Sequence, residues 1–215
     1  MRTILLHTPK GGSGKSTLAR ELAVAFSMEG QQVALLDLDP QGSTTGWYGR
    51  RDADDPVLIQ APSGIPDTKA LAKAGMDALV IDTPPGTPAF MPKLMALADV
   101  VLVPVRPSPD DLLAAAPIAS TLAGHKAWAF ILTQAPPRSR LADGAVRQLA
   151  ALGRLAPVTI GFRADFPTAA VEGKAAVEFA GTKAAAEVAQ LRAYVDAMGF
   201  DQAREAPVKG KKIRG

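Results

Sequence analysis

The chain has 215 residues, 47% hydrophobic and 21% charged, which is the size and balance of one globular domain and excludes disorder as the main state. It holds no cysteine, which excludes disulfide frameworks, thiol nucleophiles and cysteine-held zinc or iron–sulfur centres. Its net charge of +3 resides in Lys209, Lys211, Lys212 and Arg214, which leave 20 basic against 21 acidic residues elsewhere and exclude a body that is a uniformly basic nucleic-acid clamp.

Ile4-Leu5-Leu6 reads as a short buried strand, because both faces are apolar. A glycine-rich loop follows, then a helix with Leu18, Leu22, Ala25 and Phe26 at helical spacing, ended by Gly30. Further buried strands are expected at Val33–Leu36, Ala78–Ile81, Val100–Val103 and Trp128–Leu132, with a shorter one at Val158–Ile160. Helices are expected near Thr87–Ala98, Pro109–Ala123, Ser139–Leu152 and Lys183–Met198. Trp47–Gln60 is the least regular stretch and suits a small helix and an edge strand. Apolar strands alternating with helices predict an α/β fold: a mostly parallel sheet flanked by helices on both faces. Residues 1–205 are read as one domain and 206–215 as a basic, flexible tail. No apolar run nears the ~20 residues of a membrane span and no signal-peptide core is present, so a cytoplasmic location is expected.

Ligands of such sheets bind beyond the C-terminal strand ends, and the polar residues fall there. After the first strand comes Thr8-Pro9-Lys10-Gly11-Gly12-Ser13-Gly14-Lys15-Ser16-Thr17. It matches the phosphate-loop pattern G-x-x-x-x-G-K-[ST] except that Pro9 replaces the first glycine. Glycines let successive N–H groups turn toward an anion, and the following helix adds its dipole. Lys15 is placed to reach the outer phosphates and Ser16 to ligate Mg²⁺. Asp37 and Asp39 end the second strand two residues apart, so both carboxylates face the ligand edge. Pro40 stops that strand. Asp82 ends another apolar strand, where an acid would hold Mg²⁺ through water. Thr83-Pro84-Pro85-Gly86 follows as a stiff loop whose Gly86 offers a free N–H to a γ-phosphate. In Val103–Asp111, Ser108 suits a helix N-cap, Pro109 the first helical position and Asp111 the return of a capping box.

The loop Lys10–Thr17 resembles the deviant Walker A box of the ParA/MinD superfamily. Asp37-Leu38-Asp39-Pro40-Gln41 and Asp82-Thr83-Pro84-Pro85-Gly86 resemble that family's D-x-D-P-Q and switch II boxes. The resemblance runs from Thr3 to about Met198. It implies a single-domain P-loop NTPase using ATP and Mg²⁺, in which Lys10 reaches across a nucleotide-sandwich homodimer to the partner's phosphates. It also implies that Asp39 is the hydrolysis residue and that Asp37 supports the magnesium shell or the loop. Pro104 and Pro107 would stand in a proline loop lining the adenine pocket and dimer seam. Thr133-Gln134 departs from a base-reading Asn. Arg163 opens a late motif of an arginine, a helix and a glycine.

Arg140, Arg147 and Arg154 recur every seven residues and so share a helical stripe. With Arg163, Lys174 and the tail residues Lys209, Lys211, Lys212 and Arg214 they make a candidate surface for non-specific double-stranded DNA. Aromatic residues are 5% and not interleaved with them, which argues against single-strand stacking. The expected function is a small ParA-like ATPase that dimerises on ATP, holds DNA over the nucleoid and segregates or positions a cargo. A ParB-like or other cargo adaptor would stimulate hydrolysis. The chain opens on its first strand, so an N-terminal helix-turn-helix extension is not expected. Three alternatives stay open. A MinD-like membrane-surface switch needs an amphipathic C-terminal helix, for which the tail offers only Val208 and Ile213. A ligase of the dethiobiotin-synthetase type would turn over a small acceptor without need of Lys10. An idle binding module would hold ATP without hydrolysis.

Overall fold

A computed structural model describes residues 1–61 and 64–200. Residues 206–215, with Lys209, Lys211, Lys212 and Arg214, lie outside the described residues. Six strands, β1 (Arg2–Leu6), β2 (Val33–Asp37), β3 (Val57–Ile59), β4 (Ala78–Asp82), β5 (Val100–Val105) and β6 (Trp128–Leu132), form one sheet in the order β3-β2-β4-β1-β5-β6. Every pairing is parallel. The eight helices of the described residues are α1 (Lys15–Met28), α2 (Ser43–Tyr48), α3 (Thr68–Lys73), α4 (Met91–Leu97), α5 (Pro109–Leu122), α6 (Arg140–Leu152), α7 (Asp165–Val171) and α8 (Lys183–Phe200). None of them is long and apolar enough to cross a membrane.

Alternate strand residues point to opposite faces, and the core divides accordingly. Ile4, Leu6, Leu35, Val80, Leu102 and Ile131 pack under α1 and α8. Leu5, Leu36, Ile81, Val103 and Leu132 pack under α4, α5 and α6. Strand β1 lies at the centre, with β4 on one side and β5 on the other. Its connection leaves toward β2 while later strands build out toward β6, so a crevice opens at the C-terminal end of β1, where ligands of parallel sheets bind. Pro104 sits within β5 at no cost to the ladder. Leu102 already faces β1, accepting from His7 at 3.0 Å, so Pro104 points its missing N–H past the end of β1.

Three elements differ from the sequence reading. Val158–Ile160 is not a strand: the chain meets β6 only through isolated bridges, Phe130 to Leu155 and Ala135 to Gly161. Ala156 donates to Phe130 and Ile160 to Leu132, so four residues span two of the partner strand around Pro157, which has no N–H to give. Helix α3 has no counterpart among the expected elements. It is short and buries no side chain, and Asp67 caps it by accepting from Lys69 and Ala70. Helix α4 begins at Met91 rather than near Thr87, after Pro88.

Candidate nucleotide site

The loop between β1 and α1 reverses the chain through Gly12 at φ 71° and Gly14 at φ 96°, values that glycine adopts without a Cβ penalty. Lys15 folds back under this loop. Its ammonium donates to the Lys10 carbonyl at 3.0 Å and is 6% exposed. Burial lowers its pKa, while Asp82 and Asp39 pull it back up, so the three groups share one electrostatic site. The Lys10 side chain, half-buried, has no hydrogen-bond or ionic partner among the described residues.

The end of β6 fixes the loop from the side. Thr133 Oγ1 donates to the Ser13 carbonyl at 2.8 Å, and Gln134 Nε2 donates to the Gly12 carbonyl at 2.6 Å. Gln134 takes φ 50°, a left-handed conformation costly for a residue with a side chain. Where the family resemblance expects a base-reading Asn, this chain has a residue that braces the phosphate loop.

Asp37 and Asp82 stand in register on adjacent strands. Asp82 is fully buried, and burial raises its pKa to about 6 against the Ser16 and Thr44 hydroxyls, which favour the charged form. Thr44 Oγ1 donates to its Oδ2 at 2.8 Å. Its Oδ1 is buried with no hydrogen-bond partner among the described residues. A buried carboxylate oxygen left unpaired beside the Ser16 hydroxyl fits the water shell of Mg²⁺, which takes few protein ligands and completes itself with water and phosphate oxygens. No group of three or more His, Asp or Glu among the described residues offers an all-protein metal cage. Asp37 serves the loop: it accepts from Asp39 N at 3.0 Å, Thr45 N at 2.8 Å and Thr45 Oγ1 at 3.0 Å, which fixes the turn and the start of α2. Asp39 is half-exposed and spends one oxygen on Gln41 N at 3.0 Å, leaving the other uncommitted.

The Gly86 N–H is not free, contrary to the sequence reading. It donates to the Pro9 carbonyl at 2.9 Å and so staples the proline segment to the entrance of the phosphate loop. A cleft of about 400 Å³ opens beside Gly14 and Thr17 toward Thr133, Gln134, Phe162 and Pro167. Pro104 and Pro107 do not line it. The loop that carries them presses instead on Gly12, where an added Cβ would stand 3.3 Å from Arg106 Nη1. Asp111 grips that guanidinium at 2.9 and 3.0 Å. Its carboxylate also accepts from Arg106 N, at 3.3 Å, rather than from Ser108 N as in a capping box, that N–H donating instead to the Arg106 carbonyl.

The basic residues do not merge into one surface. Arg140 and Arg147 on α6, and Arg154 just beyond its end, are exposed and free of ion pairs among the described residues. Arg163 forms a two-point ion pair with Glu187, and Lys174 pairs with Glu172 at 2.9 Å. Lys174 is followed by Ala175 and Ala176, which pack with α1 and α8 on the opposite face of the sheet from α6.

The family described as the CobQ/CobB/MinD/ParA nucleotide binding domain matches residues 4–177. The chain is 30% identical over 203 residues to the maintenance of carboxysome distribution protein A of Halothiobacillus neapolitanus, covering 88% of this chain and 94% of that protein. It is 31% identical over 137 residues to the chromosome-partitioning ATPase Soj of Thermus thermophilus, covering 49% of this chain and 55% of that one. Its fold is similar to that of Cyanothece apo McdA, with a TM-score of 0.74 and 17% identity over 91% of this chain and 99% of the other. It is likewise similar in fold to the MinD cell division protein of Aquifex aeolicus, with a TM-score of 0.72 and 17% identity over 92% and 98% of the two chains.

Proposed function

The chain belongs to the CobQ/CobB/MinD/ParA family of nucleotide-binding proteins, and we propose that it is a ParA-like ATPase that positions or partitions a cargo. One observation carries this reading. Lys15 is committed inside its own loop, facing Asp39 and Asp82, while Lys10 beside it has no partner in its own chain among the described residues. A buried lysine serves the phosphates of its own subunit; an unpartnered one at the loop's entrance is available to a second subunit's.

In this reading ATP lays its phosphates on the N–H groups of Gly11 to Ser16 and on Lys15, with Thr17 at the helix start. Ser16 and Asp82, supported by Asp37, would hold Mg²⁺, which when bound neutralises charge on the terminal phosphates. The free oxygen of Asp39 accepts a proton from the attacking water as ATP is cleaved to ADP and phosphate. Lys10 of each subunit closes the dimer on its partner's nucleotide. The dimer doubles the Arg140, Arg147 and Arg154 stripe, and DNA affinity rises with the number of phosphates neutralised. A cargo-bound adaptor then stimulates hydrolysis and releases the monomers. The relatives named for carboxysome distribution and chromosome partitioning support a positioning role, and the proposed cycle would run in the cytoplasm, over the nucleoid.

The test is the mass of the protein by light scattering with a non-hydrolysable ATP analogue. The wild type is expected to dimerise and Lys10→Ala to bind the analogue yet remain monomeric. A wild type that stays monomeric when saturated removes the proposed cycle.

A further inference from the structure

Arg20 and Arg50 open into a groove of about 540 Å³ completed by Thr17, Phe166, Pro167 and Val171. Arg20 is half-buried on α1, its guanidinium 5.8 Å from the ring centre of Trp47. Among the described residues it makes no hydrogen bond and no ion pair. Arg50 donates to the carbonyls of Gly46 at 2.7 Å and Ala170 at 3.1 Å, which fix its guanidinium and leave its charge uncompensated. The contrast with other arginines is sharp: Arg2, Arg51, Arg106, Arg163 and Arg192 each hold a carboxylate. Burial lowers the pKa of Arg20; Asp82, Glu21 and Asp37 oppose that shift and the Arg50 charge adds to it. Two adjacent guanidiniums that no carboxylate touches among the described residues, one of them half-buried, are a setting that an anion stabilises.

The groove and the nucleotide cleft share Thr17, Phe166 and Pro167. A nucleotide with its 5′-phosphates on the loop and its base in the cleft carries its ribose past Thr17, to the junction of the two. We propose that the Arg20–Arg50 groove binds a phosphate group borne on the ribose of the bound nucleotide, so that the site accepts nucleotides phosphorylated at the 2′- or 3′-oxygen as well as at the 5′-oxygen. This rests on the reading that the cleft takes a nucleotide. Such a ligand occupies the phosphate loop and so excludes ATP, which makes it a negative regulator of the proposed cycle. A DNA backbone is disfavoured here, because exposed Asp52, Asp54 and Asp55 follow Arg51 in the chain and repel a polyanion. Free inorganic phosphate offers the same chemistry from a separate source.

Calorimetric titration of the full chain with ADP, AMP, adenosine 2′,5′-bisphosphate, adenosine 3′,5′-bisphosphate and inorganic phosphate tests the proposal. One of the bisphosphates is expected to bind about tenfold or more tightly than AMP, as a charge-assisted contact implies. Arg20→Gln and Arg50→Gln, which keep most of each side chain's packing, are expected to erase that preference and leave ADP binding unchanged. Bisphosphates no better than AMP, or a preference that survives both substitutions, overturn it. Inorganic phosphate binding that depends on Arg20, without any bisphosphate preference, also overturns the ribose-borne source. Failure of ADP itself to bind removes the nucleotide reading beneath the proposal.

Discussion

Thr44 Oγ1 donates to Asp82 Oδ2 at 2.8 Å, and neither side chain is exposed to solvent. This bond ties the first turn of α2, which follows the Asp37–Gln41 segment, to the acid at the end of β4. It occupies one oxygen of Asp82 and leaves the other, Oδ1, without a hydrogen-bond partner among the described residues. Thr44→Val keeps the shape and removes the donor. The expected result is a higher Mg²⁺ concentration for half-maximal ATPase activity and a stability loss of about 1–3 kcal/mol, the cost of an unpaired buried acceptor. Thr44→Ser is expected to restore most of the Mg²⁺ response. A Thr44→Val protein with an unaltered Mg²⁺ titration would show that Asp82 needs no such positioning.

Asp39, like Asp82, keeps one oxygen free, but of the two only Asp39 is partly open to water. Asp39→Ala is therefore expected to bind ATP normally and to hydrolyse it about 10²-fold more slowly or worse, as loss of a general base implies. Phosphate release in a single turnover, beside an equilibrium binding curve, separates the two effects. Normal turnover would assign the proton to another group.

Much of this site is legible in the sequence, and for a common reason. Continuous runs such as Val100–Val103 bury both faces, so periodicity and burial agree, and the loop Lys10–Thr17 carries its chemistry in contiguous residues. What stays hidden depends on long-range contacts. Nothing local announces that Gln134 would brace Gly12, or that the Gly86 N–H would be spent on Pro9. Glu21 did leave a signal: it falls on the same helical face as Leu18, Leu22 and Ala25, where a charged residue needs a specific partner. Helix α3 left none, because it buries nothing and so imposes no apolar period.

The exposed stripe on α6 gives a prediction that a solubilising face does not share. If Arg140, Arg147 and Arg154 contact DNA phosphates, replacing them with Gln is expected to weaken ATP-dependent DNA binding. It is also expected to flatten the dependence of log K on log salt by ~0.9 for each phosphate that is no longer neutralised. Arg163→Gln serves as the comparison, since its charge is already paired with Glu187, and is expected to leave the slope unchanged. An unaltered slope in the triple variant would move DNA binding off this helix.

Gly173 closes a contact between distant segments. Its φ is 69°, and an added Cβ would lie 2.2 Å from the Arg50 carbonyl oxygen, which is backbone and cannot swing aside. Nearby, Trp47 Nε1 donates to the Lys174 carbonyl at 2.9 Å and Arg51 pairs with Glu178, so α2 is locked to the segment after α7. Gly173→Ala is expected to cost about 3 kcal/mol or more through steric clash and left-handed strain. Urea denaturation reads the loss directly. A loss below about 1 kcal/mol would mean that this junction yields easily.

Glu21 makes the stability of the fold depend on pH in an unusual direction. Its two oxygens accept from Ala176 N at 2.7 Å and Val177 N at 2.9 Å, holding the turn at Ala176–Glu178 against α1. Burial nevertheless raises its pKa from 4.5 to about 7, the two N–H groups opposing the shift. Between those values the folded chain binds more protons at this site than the unfolded chain, so its contribution to stability falls as pH rises through the window. The full penalty, roughly 3 kcal/mol by linkage, is reached above the folded value. His7 acts in the other sense: burial first, then Lys15, lower its pKa from 6.5 to about 4, so stability is lost as pH falls through that range. In the wild type His7 opposes the Glu21 trend while Asp82, raised from 3.8 to about 6, adds to it, so the wild-type profile does not isolate Glu21. Glu21→Gln removes one titration and leaves the others. The variant loses a hydrogen bond at every pH, yet its stability relative to wild type is expected to improve steadily from pH 4.5 to pH 7 and to be flat outside that interval. Urea midpoints across the range test this. A constant difference between the two proteins would mean that Glu21 titrates alike in the folded and unfolded chains, its buried carboxylate being stabilised by those two N–H groups as strongly as burial opposes it.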